Sequence, residues 1–171
     1  PLVLPPVVTG YFLLIVLGRN GPVGNLLHDI FGVDVVFTWV AAALAAGLMS
    51  LPLMVRAIEV AMSAVDSRLE LASRTLGAGP FTTFFSVTVP LARRGILAAV
   101  LLAFARGLGE FGATIVVAGN IPGRTQTVPL ALFNRIETGD DAAAIRLIAV
   151  SLVVAFASLM LHQRLVRQRA Y

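Results

Sequence analysis

The stretch of sequence that decides the fold runs from Glu70 to Pro90 and reads ELASRTLGAGPFTTFFSVTVP. It is polar and amphipathic, but the segments on either side of it are apolar enough to span a bilayer. A chain that keeps such a stretch outside the lipid exposes it to other molecules. We therefore expect two short helices here that contact a partner.

Composition places the chain in a membrane. Of its 171 residues, 58% are hydrophobic and 13% are charged, and the mean hydropathy is +0.91. A soluble domain of this composition would expose large apolar patches. The net charge is +4, but the arginines are spread among the ends of the apolar segments, which argues against nucleic-acid binding. Without cysteine the chain forms neither a disulfide nor a thiolate metal site.

Four apolar segments predict an all-α, polytopic transmembrane helical bundle, with spans at about 2–17, 35–55, 95–119 and 142–161. Pro5 and Pro6 predict a kink or break near the beginning of the first span. The Gly- and Asn-rich segment after it predicts a loop with one helical turn at Leu26 to Ile30 and with His28 in solvent. The chain begins at Pro1 with no basic segment before an apolar one, so we expect further spans upstream and an N-terminally incomplete domain.

Arginine placement predicts the orientation, because positively charged loops stay in the cytoplasm. The loop at 56–94 and the C-terminal tail carry more arginines than the opposite side, so both are expected to be cytoplasmic. The arginines of the loop are Arg56, Arg68, Arg74, Arg93 and Arg94, those of the tail are Arg164, Arg167 and Arg169, and those opposite are Arg19, Arg124 and Arg135.

Within the cytoplasmic loop, apolar residues recur at alternating spacings of four and three, which predicts one helical stripe. Gly77 should end this helix in the left-handed conformation, and Pro80 should begin a second short helix that Pro90 stops. A helix pair that merely lies on the lipid surface is the alternative. The stripe comprises Ile58, Met62, Val65, Leu69, Ala72 and Leu76.

Part of this loop resembles the EAA motif of ABC importer permeases, which reads Glu-Ala-Ala, three residues, Gly, nine residues, Ile-x-Leu-Pro. The sequence departs from it at the first and third positions, and Glu70 lies one residue before the expected glutamate. The resemblance implies that the loop couples to a cytoplasmic ABC ATPase subunit. The residues concerned are Glu70, Leu71, Ala72, Ser73, Gly77, Val87, Val89 and Pro90.

A second resemblance runs through nearly the whole chain. The opening PLVLPPVVTGYFLLIVLGRNGPVG and the stretch from Phe104 to Asp140 are similar to permease subunits of molybdate ABC importers. Sulfate and thiosulfate permeases share the Gly-Glu-Phe-Gly and Gly-Asn-Ile-Pro elements, so sulfate, thiosulfate and tungstate remain alternatives, while RTQTVPL at Arg124 to Leu130 favours molybdate. The resemblance implies a type I permease fold in the bacterial inner membrane, a homodimer, a periplasmic or extracellular oxyanion-binding protein and no cofactor.

Two groups of residues are candidates for the translocation path or a gate. Arg106 and Glu110 lie four residues apart on one face of the third span, where ionisable groups face protein or a water-filled cavity. They form either a structural pair or part of an anion path. In the outer loop NIPGRTQT, Arg124, Thr125 and Thr127 together with free amides suit a tetrahedral oxyanion. Alternatively, Thr127 caps the helix that follows.

Other functional classes fit less well. His28 and His162 fall on opposite sides of the membrane in the predicted topology, and neither HExxH nor GxSxG occurs, so we predict no catalytic or metal site. No GxxxxGK[ST] loop occurs either, so ATP would be hydrolysed by another subunit. A membrane scaffold or assembly protein would explain the helix pair in the loop but would have no use for a buried Arg106.

Overall fold

The structure is a computed structural model that describes residues 4–167. Residues 2 and 3 of the first predicted span, and Arg169 of the tail, lie outside this range. Within it the chain forms nine α-helices and one π-helical turn. The helices are α1 (Pro6–Leu17), α2 (Pro22–Phe31), α3 (Trp39–Ser63), α4 (Ser67–Thr75), α5 (Pro80–Thr83), α6 (Val89–Leu108), α7 (Gly112–Ala118), α8 (Val128–Glu137) and α9 (Asp141–Arg167), and the π-turn (Phe84–Thr88) lies between α5 and α6.

Three helical stretches are long and apolar enough to cross a membrane, namely Trp39–Ser63, Pro80–Leu108 and Asp141–Leu165. Helices α1 and α2 together are also long and apolar enough, but they are bent by 44° at the break between them. These stretches overlap the four segments that were predicted as membrane spans. Their bounds differ most for the third one, because the helix that begins at Pro80 ends at Leu108 instead of running on to residue 119.

The described chain divides into two compact units. The first comprises the segment up to Pro52 and Phe104–Phe156, and the second comprises Leu53–Ala103 and the segment from Ala157 onward. The core of the first unit is built from small residues of α3 and α7, which lets the two helix backbones approach closely. The buried core residues are Ala41, Ala42, Ala45, Ala113, Val117 and Ala118.

Helix α1 packs closely on α7 at Gly10. A Cβ atom placed on Gly10 would lie 2.7 Å from the carbonyl oxygen and 2.8 Å from the Cα atom of Ala113. These are backbone atoms that cannot rotate away, so only glycine fits here. The contact fixes the distance between α1 and α7.

The prolines at the start of α1 do not kink it. Pro5 is the N-cap and Pro6 is the first helical residue, a position where the missing N–H costs nothing because it would have no partner in the helix. The helix therefore begins at the two prolines and does not bend there, and the part of the predicted span before residue 4 lies outside the described residues. The loop after α1 also contains more helix than expected, since α2 extends over 10 residues and ends at Gly32 in the left-handed conformation.

His28 of α2 is not simply solvated. Its Nδ1 atom lies 3.2 Å from Oδ1 of Asp34, and its Nε2 atom lies 3.1 Å from Nη2 of Arg19. About one third of the His28 side chain is exposed. The three residues thus form a small charged cluster in the segment between α1 and α3.

Candidate functional site

The second unit contains a helical elbow, which we define as α4, the bend at Gly77, α5 and the π-turn. Asp66 begins α4, because its side chain accepts a hydrogen bond from the N–H of Arg68 at 2.9 Å. This N-cap lies inside the stripe of apolar residues that predicted a single helix. The predicted single helix is therefore wrong: α3 ends at Ser63 and α4 begins at Ser67.

The bend of the elbow forms as predicted. Gly77 has a φ of +89°, and its N–H donates to the carbonyl oxygen of Arg74 while the N–H of Ala78 donates to that of Ser73. This pair of hydrogen bonds is the Schellman motif, which needs a left-handed residue that glycine adopts without strain. Pro80 is then the first residue of α5, also as predicted.

The second half of the elbow does not end at Pro90. The chain continues through the π-turn into α6, and the N–H of Val89 donates to the carbonyl oxygen of Phe84, five residues earlier. A proline ring within a regular helix would clash with the carbonyl four residues before it, and a widened turn relieves this clash. The prediction that Pro90 stops the helix is therefore wrong.

Side chains hold the elbow together. The hydroxyl of Thr88 donates to Oε1 of Glu70 at 2.6 Å, and the hydroxyls of Ser73 and Thr83 lie 3.2 Å apart. Of the residues that resemble the EAA motif, Glu70 and Ser73 thus face the rest of the elbow. Val87 and Val89 are half-buried in the π-turn and at the start of α6, whereas Leu71, Ala72, Gly77 and Pro90 are exposed.

The outer surface of the elbow is apolar. The side chain of Leu76 at the bend is 88% exposed and that of Phe81 in α5 is 80% exposed. Large apolar side chains are costly to leave in water, so an exposed patch of this kind is typical of a surface that contacts another protein or lipid. The exposed apolar residues of this surface are Leu69, Leu71, Leu76, Phe81 and Phe85.

The first unit contains a break between α6 and α7 at Gly109, Glu110 and Phe111. Glu110 is only 3% exposed. Its Oε1 atom accepts a hydrogen bond from the N–H of Ala113 at 3.0 Å, and its Oε2 atom lies 3.2 Å from Nη1 of Arg106. One carboxylate thereby satisfies a free amide in the first turn of α7 and pairs with a cation in the last turn of α6.

Arg106 is the accessible member of this pair. Its side chain is 41% exposed and that of Glu110 is 2% exposed. The predicted pairing of the two residues on one face is thus present, but Glu110 faces inward. An ion that approaches the break would therefore meet the guanidinium of Arg106 before the carboxylate of Glu110.

The loop between α7 and α8 makes more internal backbone hydrogen bonds than expected. The N–H groups of Arg124, Thr125 and Gln126 all donate to the carbonyl oxygen of Ile121, and the N–H of Ile121 donates to the hydroxyl of Thr125. Thr125 is 4% exposed. These four amides are therefore used within the loop, while Arg124 stays exposed.

Thr127 occupies the N-cap position of α8 but makes no hydrogen bond there with its side chain. An N-cap side chain bonds to the second or third amide of the helix. Pro129 is the second residue of α8 and has no N–H. The predicted side-chain cap is therefore wrong, and the buried hydroxyl of Thr127 finds no partner within the described residues.

Sequence reasoning missed Asp66, Thr83 and Thr88. Asp66 could have been predicted as a helix start, because an aspartate followed by a polar turn often begins a helix. No local sequence pattern predicts the contacts of Thr83 and Thr88, because their partners lie 10 and 18 residues away in the sequence.

The long apolar helices, the elbow between two of them and the charged break define a membrane transport component. Residues 1–170 match the family of binding-protein-dependent transport system inner membrane components, and the chain belongs to this family of multi-pass inner-membrane proteins. It is 51% identical to the molybdenum transport system permease protein ModB of Escherichia coli (strain K12), over 99% of this chain and 76% of that protein. It is 46% identical to the protein of the same name from Haemophilus influenzae, over 95% of this chain and 72% of that protein.

Proposed function

We propose that this chain is the permease subunit of an ATP-driven importer that carries molybdate across the cytoplasmic membrane. The relatives from E. coli and H. influenzae are both named as molybdenum transport permeases. In this proposal residues 1–171 act as one transmembrane permease domain and pair with a second copy. A cytoplasmic ABC ATPase subunit supplies the energy, and a periplasmic or extracellular oxyanion-binding protein delivers the anion.

The observation that carries the proposal is the elbow with its apolar surface. Leu76 and Phe81 expose most of their side chains on either side of a bend that Gly77 and Pro80 fix. A rigid, apolar projection that is continuous with a membrane helix suits a groove on another protein. Coupling through it turns a movement of the ATPase into a movement of the spans. The elbow and the C-terminus face the cytoplasm in this proposal, in line with the distribution of arginines.

Arg106 is the candidate for contact with the passing anion. A dianion loses hydration when it enters a membrane path, and a guanidinium offers several hydrogen-bond donors that compensate for this loss. The partial exposure of Arg106 beside the buried Glu110 supports this role. Arg124 of the outer loop is an exposed cation that the anion would meet earlier, whereas the buried hydroxyl of Thr125 supports the loop around it.

Uptake of labelled molybdate by proteoliposomes tests the proposal. The vesicles contain the permease and its ATPase, with ATP on the cytoplasmic side and the loaded binding protein on the other. We expect ATP-dependent uptake that excess unlabelled molybdate suppresses and excess sulfate leaves unchanged. Equal suppression by sulfate would show that the chain carries sulfate as well as molybdate, and uptake of labelled tungstate without uptake of labelled molybdate would assign it to tungstate. A complex that binds the ATPase but moves none of these anions would indicate a scaffold.

Arg106→Ala tests the path. We expect the variant to lose uptake while it retains the ATPase during purification, and Arg106→Lys to recover part of the uptake because it restores the charge. Arg135→Ala is the matched control, since Arg135 forms an exposed ion pair with Asp140 at 3.1 Å and such pairs contribute little. Unchanged transport in the Arg106→Ala variant would refute the path role.

A further inference from the structure

Two buried threonines flank the π-turn and both contact α4. Thr83 precedes the turn and is 2% exposed, and Thr88 ends it and is 7% exposed. Thr83 contacts the hydroxyl of Ser73, and Thr88 donates to the carboxylate of Glu70. The two contacts join the same pair of segments, so they act together.

The π-turn makes this pairing possible. In a regular α-helix with 3.6 residues per turn, residues five apart point about 140° away from each other around the axis. In a π-turn the hydrogen bonds connect residues five apart, so Thr83 and Thr88 come to lie near one face. Their partners Glu70 and Ser73 are three residues apart on α4 and share a face as well. The spacing of five on one helix therefore matches the spacing of three on the other.

The chemistry of the two contacts favours a firm junction. The Thr88 hydroxyl donates to a carboxylate at 2.6 Å, and hydrogen bonds to charged acceptors are stronger than those between neutral groups. The contact is half-buried, which limits competition from water. The contact between Ser73 and Thr83 adds a second point about one turn away, so α4 is held against rotation as well as separation.

We propose that these two contacts form a clasp that fixes α4 to the base of α6 and makes the elbow one rigid lever. Glu70 is then a positioning residue: its carboxylate acts inside the elbow and not on the partner. The inference rests on the proposed coupling to an ATPase. Without the clasp, a load on α4 would be absorbed by bending at Gly77 and would not reach α6, which is continuous from Val89 to Leu108.

The test is the number of molybdate ions transported per ATP hydrolysed, measured in proteoliposomes that contain the whole complex. Thr88→Val removes the hydroxyl at nearly constant volume. We expect ATP hydrolysis and retention of the ATPase to persist while the transport ratio falls by about tenfold or more, the range expected for loss of a hydrogen bond to a charged group. Thr88→Ser should restore the ratio. Thr82→Val is the matched control, because Thr82 is exposed in the same segment.

Glu70→Gln is a second test that leaves the buried face of the π-turn unchanged. The amide oxygen still accepts from Thr88 but lacks the charge, so we expect a smaller loss of the transport ratio. In a Thr88→Val, Glu70→Gln double variant, the losses should be less than additive because the two residues act in one contact.

The outcomes separate the clasp from the proposed function. An unchanged transport ratio in the Thr88→Val variant would overturn the clasp. If the Thr88→Val variant does not accumulate in membranes, an unchanged transport ratio in the Glu70→Gln variant would overturn it instead. Loss of the ATPase from the Thr88→Val complex would also overturn it, because the hydroxyl would then serve docking. The proposed function fails separately, if the unmodified complex transports no molybdate in the same assay.

Discussion

Helix α6 has an interruption at each end, and the two are built differently. Before it, the π-turn at Phe84–Thr88 widens the helix but keeps its direction and its backbone hydrogen bonding. After it, the break at Gly109 to Phe111 ends the helix, and a new one begins at Gly112. Neutral hydroxyls and one half-buried carboxylate support the first interruption, whereas a buried carboxylate supports the second.

This difference indicates which substitutions would disrupt each interruption. The π-turn depends on two separate side-chain contacts, so the loss of one leaves the other. The break depends on Glu110 alone for both the amide of Ala113 and the charge of Arg106. We therefore expect single substitutions at the break to affect stability, and single substitutions at the elbow to affect coupling.

The largest effect is expected for Glu110→Ala. The change removes the acceptor for an amide and leaves Arg106 unpaired, which we expect to cost about 2–3 kcal/mol, less than for a fully buried pair because Arg106 is partly exposed. Thermal unfolding of the detergent-solubilised complex measures the loss. Glu110→Gln keeps an acceptor oxygen and should cost less than half as much. An equal loss in the two variants would show that only the ion pair contributes, and Glu137→Ala is an exposed control.

The second-largest effect is expected for Gly10→Ala in α1, the helix that packs on α7. Gly10→Ala places a methyl group against the backbone of Ala113, and we expect the forced separation of α1 from α7 to cost about 1–3 kcal/mol. The same substitution at Gly47 is the matched control, because no atom lies within 4 Å of a Cβ placed there. Gly47→Ala should stabilise α3 slightly, by up to about 1 kcal/mol. Thermal unfolding of both variants in one detergent compares them, and a neutral Gly10→Ala would contradict the close approach.

The smallest effect is expected at the start of the elbow. Asp66→Ala removes the N-cap of α4 and should cost about 1 kcal/mol locally. Because α4 is exposed along most of its length, the change should appear as roughly fivefold faster hydrogen exchange of its amides, with little effect on the unfolding of the whole complex. Asp66→Asn retains a capping oxygen and should behave like the unmodified chain. Unaltered exchange in the alanine variant would mean that the clasp at Glu70 and Ser73 suffices to hold α4.

The predictions from sequence were confirmed where a single residue type dictates the backbone. Gly77 ends α4 in the left-handed conformation and Pro80 begins α5, because few other residues adopt these geometries as readily. The apolar segments also overlap the long helices of the structure, since hydropathy depends on composition and not on contacts.

The predictions failed where the outcome depends on a partner elsewhere in the chain. Pro90 continues a helix because the turn before it is widened, and that turn is supported by Glu70 and Ser73 of another helix. The third span breaks at Glu110 because a side chain replaces the helical partner of an amide. Thr127 fails as a cap because of its neighbour Pro129. Periodicity alone does not contain this information.

Site-specific cross-linking of the elbow to the ATPase tests the central claim most directly. The 171 residues contain no cysteine, so Leu76→Cys and Phe81→Cys each introduce a single reactive thiol at a position more than three quarters exposed. We predict that both form cross-links to the ATPase in membranes of intact cells, whereas Phe156→Cys of α9, 64% exposed, forms none. Absence of any cross-linked ATPase from both elbow positions, while the ATPase still co-purifies, would contradict the account.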